Sequence, residues 1–133
     1  MHDRPTALEL IAAARGHLER EVLPALADPR LRFRTLVAAH VLAVAERELA
    51  RGEEPLRAEW ARLQALLGRA DGPPATAAEL GAAVRACEEE LCRRIRAGEA
   101  DGGSFRAAVL HHVRESLLEK LRVASPGFTD ARG

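Results

Sequence analysis

Between Leu31 and Arg51 the apolar residues fall on two sides of a helix. Phe33, Val37, His40 and Val44 follow one stripe; Leu31, Ala38, Leu42, Ala45 and Leu49 follow another, more than about 120° round at helical spacing. A helix apolar on two sides is expected to be wrapped by neighbours. The segment 31–51 is therefore read as the central helix, with Arg32 and Glu46 on its narrower wet face and Gly52 ending it.

The flanking segments carry ordinary helix punctuation. Thr6 and Glu9 in "PTALE" form a capping box ahead of Leu8, Ile11, Leu18 and Val22, and Pro24 predicts a kink or an end before the break "ADPR". Leu56, Trp60, Leu63 and Leu67 mark a short third helix, with Trp60 as a core anchor and Gly68 as its stop. After the loop "GRADGPPA", a second capping box at Thr76 and Glu79 opens a fourth helix that buries Leu80, Val84, Cys87, Leu91 and Ile95. Ser104 is the expected cap of a fifth helix bearing Val109, Val113, Leu117 and Leu121, stopped before Pro126. No segment alternates as a strand does. The expectation is an all-α fold: a four- to five-helix antiparallel bundle with 31–51 central, one domain over 3–128 and a frayed tail at 129–133.

A length of 133 residues suits that single domain. Charge narrows the function classes, because twenty basic and twenty acidic side chains cancel. No general field draws such a chain to nucleic acid or to anionic lipid, and neither is expected as a partner. Cys87 and Cys92 are separated by four residues, neither a Cys-x-x-Cys pair nor a zinc knuckle, and on a helix they point apart. "MHDRPTALEL" has no basic segment followed by an apolar run, so a cytoplasmic, unexported protein is expected.

Candidate chemistry is sparse. Arg93, Arg94 and Arg96 crowd the end of the fourth helix, where cations complement the helix dipole and Glu88 to Glu90 stand one turn away. Their structural reading is a helix end; their functional reading is a contact with a partner or with coenzyme A phosphates. His40 lies on the apolar stripe, read as a buried imidazole or as a ligand-orienting group in a cleft. Di-iron bundles need Glu-x-x-His, which is not found here, and His112 with Glu115 has the order reversed. No metal, cofactor or catalytic residue is expected.

Four segments together, "DRPTALELIAAARGHLEREVLPAL", "RFRTLVAAHVLAVAERELARG", "ELCRRIRAGEADG" and "LEKLRVASPGF", resemble a family of small bacterial proteins of uncharacterised domain type. The likeness runs from Asp3 to Phe128 and leaves out Gly68 to Ala75. It implies encoding beside an aminoglycoside-phosphotransferase-like kinase and an acyl-CoA dehydrogenase-like protein, in routes resembling hydroxy-acid breakdown. The resemblance carries no catalytic residue, and asparagine is usual where His40 and Ser125 stand. The expected role is a non-catalytic accessory subunit of that kinase. An acyl-CoA binder or minor enzyme with a cleft around His40 is the alternative, and a homodimer through the fifth helix is a third.

Overall fold

A computed structural model describes residues 4–130, and every element among them is helical. Of the tail expected to fray at 129–133, residues 131–133 lie outside the described residues. The chain gathers into two compact units, Met1–Gly52 and Glu53–Gly133.

In the first unit, α1 (Ala7–His17) opens on the expected capping box: Thr6 Oγ1 accepts from the Glu9 amide at 3.2 Å and Glu9 returns the contact at 2.7 Å. The helix widens into a π-helical turn at Leu18–Val22, where the Leu23 amide reaches back to the Leu18 carbonyl, and closes with the short α2 (Leu23–Ala25). Pro24 supplies the reason, since it brings no amide proton and its ring crowds the carbonyl one turn earlier. Asp28 then caps α3 (Pro29–Arg51), accepting from the amides of Arg30 at 2.7 Å and Leu31 at 3.3 Å, with Pro29 in the first turn. The segment "ADPR" is thus a helix start as well as a break.

Packing in this unit inverts the expectation for α3. Arg32, read as wet, is exposed as expected, yet it donates to the carbonyls of Leu23 at 2.7 Å and Leu26 at 3.1 Å, groups left open where α2 ends. Glu46, also read as wet, accepts from Arg15 of α1 at 2.8 Å, while Arg15 also meets Glu19 at 3.0 Å. The Glu46 contact, then Glu19, holds the Arg15 guanidinium more firmly protonated than usual. Gly16 and Ala39 are the buried residues here among those described. The two-sided apolar character is real, but α3 is not the encased helix: its polar side faces α1 and α2, and its Phe33 stripe faces water.

The second unit has the core. Helix α4 (Glu54–Leu67) packs against both α5 (Ala77–Arg96) and α6 (Gly103–Ala124), and α7 (Pro126–Asp130) folds back on α6. Trp60, Leu63, Leu80, Val84, Cys87, Leu91 and Val109 form one buried cluster, with Leu63 and Leu80 fully enclosed. The short third helix of the sequence is therefore the wrapped one. Gly68, at φ +71 and ψ 31, ends α4 in the left-handed conformation that costs glycine least, and the Arg69 amide returns to the Gln64 carbonyl at 2.8 Å. Helix α5 opens on the second capping box, Thr76 with Glu79. Three details differ from expectation, the first being that Val113 and Leu117 of the fifth-helix stripe are 51% and 55% exposed and only Val109 of it joins the core. Ile95 is 38% exposed, sitting in the last turn where the core cluster has already ended. Ser104 is inside α6, because the helix starts two residues earlier than expected, at Gly103 with φ +74, and Gly102 occupies the cap without a side-chain bond.

Candidate functional site

The largest open apolar feature of the first unit is the outer face of α3. Phe33 is 67% exposed and Val41 58%, with Leu36 and Val37 near half exposed beside them. These positions recur at three- and four-residue spacing, so they form one stripe along the helix. His40 lies on this stripe and is exposed. It is neither the buried imidazole nor the cleft group expected, because the stripe that carries it is turned away from α1. Arg30 and Arg34 flank Phe33 at the start of the helix and line an open depression with it.

The arginine segment divides. Arg94 turns inward along its own unit: its Nε donates to Glu99 at 2.7 Å, and its guanidinium lies 4.5 Å from the centre of the Phe105 ring. It joins the end of α5 to the start of α6 across a turn in which Gly98 has φ +88. Arg93 and Arg96 are exposed and line an open surface groove with Arg85, Glu88, Glu89 and Cys92. Carboxylates share that groove, so it is a surface of mixed charge. Cys92 is an exposed free thiol and Cys87 a buried one.

The histidine that is buried is His112, 6% exposed on α6. Among the described residues its Nδ1 has no hydrogen-bond partner, and the same holds for Nε and Nη2 of Arg62 on α4. Burial pushes the His112 pKa below its usual value; the Glu59 carboxylate opposes this, while Arg62, His111 and Lys120 add to it. Glu59 in turn accepts the Ser116 hydroxyl at 2.9 Å. Ser116 donates to a carboxylate and makes no hydrogen bond to His112 among the described residues, so the two are not arranged as a Ser-His nucleophile pair. No group of three His, Cys, Asp or Glu able to hold a metal occurs among the described residues. His111 and His112 differ by about 100° on the helix, and only the position of α4 decides which is covered, so spacing alone did not single out His112.

A family described as Domain of unknown function (DUF6285) matches residues 24–128. The chain belongs to this family. The DUF6285 match takes in α3, α4, α5 and α6 whole, and so spans both the open stripe of α3 and the core of the second unit. It leaves out α1 and the π-helical turn. No curated protein and no solved structure matches the chain. Among the described residues no helix is long and apolar enough to cross a membrane.

Proposed function

We propose that this DUF6285 chain is a non-catalytic cytoplasmic accessory subunit. It binds and stabilises or activates an aminoglycoside-phosphotransferase-like kinase of hydroxyacyl-CoA breakdown, and the outer stripe of α3 is its contact surface. One observation carries the reading: α3 packs within its unit by the side holding Arg32 and Glu46 and leaves Phe33, Leu36, Val37 and Val41 open. Covering each of those side chains is worth on the order of 1 kcal/mol at roughly 25 cal/mol per Å². Contiguous apolar patches of this kind mark interaction surfaces, and an aromatic such as Phe33 is the usual anchor. The sequence resemblance supplies the kind of partner.

The test is calorimetric titration of the chain into the kinase encoded beside it, followed by kinase turnover on a hydroxyacyl-CoA with and without the chain. Association and a gain in kinase activity or half-life are expected. Phe33→Asp should weaken binding at least ten-fold. Failure of the wild-type chain to associate at tens of micromolar would end the reading. Arg93 and Arg96 form a second contact candidate, tested by charge reversal at both positions in the same titration.

A further inference from the structure

Helix α6 carries a second uncovered stripe, built on a different pattern. Its inner side holds the core residue Val109 and the buried His112. Its outer side carries Leu110, Val113 and Leu117, exposed by 58%, 51% and 55%. These three recur at the 3-4 spacing of a coiled-coil seam, and the seam continues to Arg106 at one end and Lys120 at the other. Both ends are exposed cations, and Arg114 adds a third on the edge of the stripe. Arg114 and Lys120 make no hydrogen bond or ion pair among the described residues, and Arg106 donates only to the Asp101 carbonyl, at 3.3 Å. The neighbouring acids Glu115 and Glu119 are half-buried and more than about 100° round the helix from the centre of the stripe.

We infer that the outer face of α6 docks an apolar helical segment of another protein whose stripe ends in carboxylates about 21 Å apart, the rise of fourteen helical residues. The charge pattern selects this occupant. A second copy of the chain fits poorly: laid antiparallel about Val113, Arg106 meets Lys120 of the other copy at both ends, and laid parallel each cation meets itself. An anionic bilayer also fits less well. The stripe has no aromatic residue to seat at the interface and three flanking cations, on a chain of zero formal charge. A carboxylate-ended helix satisfies the apolar centre and both charged ends together. The inference does not depend on the α3 reading, since it concerns other residues in the other unit.

The experiment uses the full chain and two synthetic amphipathic helices of about eighteen residues, with identical leucine seams. One has glutamates at both ends of the seam and the other lysines. Fluorescence anisotropy should show the acid-ended peptide binding at least ten-fold more tightly, with affinity falling as salt rises. The double variant Arg106→Glu, Lys120→Glu should reverse that preference, its fold checked by circular dichroism, and Phe33→Asp should leave it unchanged. Binding of neither peptide, equal binding of both, or a preference untouched by the charge reversal would overturn the proposal. So would partition onto phosphatidylserine vesicles without peptide selectivity, or a sedimenting dimer dispersed by Val113→Asp.

Discussion

Trp60, Leu63 and Leu80 of the second unit lie together in a closed core, whereas Phe33, Leu36 and Val41 of the first, side chains of similar size and chemistry, stand half or more open to water. The difference is one of covering, since both sets repeat at helical spacing. Helix α4 has neighbours on two sides, α5 and α6. Helix α3 has α1, the π-helical turn and α2 against its polar side. The second unit has a fully buried apolar core, whereas the first combines half-buried aliphatics such as Ile11, Leu18 and Leu42 with caps, the Arg15–Glu46 pair and small buried residues. A unit of the second kind keeps its apolar surface available for something else.

The largest expected effect is in the core. Leu63→Ala or Leu80→Ala should lower stability by about 2–5 kcal/mol in urea unfolding, because each side chain is fully enclosed and the cavity adds to the lost transfer energy. Leu36→Ala on the open stripe should change stability by less than about 1 kcal/mol, as partly exposed side chains lose little burial. Equal losses at Leu63 and Leu36 would erase the distinction between the units.

Acid should act on the second unit through His112. Its folded pKa is depressed, so on acidification the unfolded chain takes up this proton first. The contribution is fully present above about pH 6.5 and is lost as pH falls from there toward the lowered folded value. His112→Gln should flatten that part of the stability profile in thermal melts from pH 7.5 to 5. An unchanged profile would remove His112 as the cause.

Smaller again are the helix caps. Thr76→Ala should cost roughly 1 kcal/mol by removing the acceptor for the Glu79 amide. Glu46→Gln is a local probe: hydrogen exchange of α1 amides should quicken while those of α5 stay as they were. If α5 responded equally, the two units would be one cooperative block.

Much of the secondary structure was legible in the chain. Both capping boxes formed as read, Gly52 and Gly68 stopped their helices, and Leu80, Val84, Cys87 and Leu91 went inside together. Local rules sufficed because caps and stops are settled within four residues. What covers an apolar face is settled by distant residues: the two-sided stripe of 31–51 predicts a wrapped helix, yet its Phe33 side is open, whereas the anchor expected at Trp60 is buried. Gln64 is a buried residue of α4 that the apolar pattern does not single out: its amide oxygen accepts from the Asp71 backbone at 3.2 Å and its nitrogen points at Cys87 Sγ, 3.8 Å away. The site candidates divided for the same reason, His40 proving open and His112 enclosed. In the arginine cluster the helix-end position of all three is readable, since Arg93, Arg94 and Arg96 stand in the last turn of α5, but the contact of Arg94 with Glu99 and Phe105 is not.

Arg94 also sets how the two longest helices of the second unit are joined. Bonded to Glu99, with its guanidinium 4.5 Å from the centre of the Phe105 ring, it acts as a peg at the corner between α5 and α6. Lysine there would preserve the charge and lose the plate that rests on the ring, leaving the corner free to swing. Small changes at this peg would be magnified along the length of α6, steering its far end without touching it.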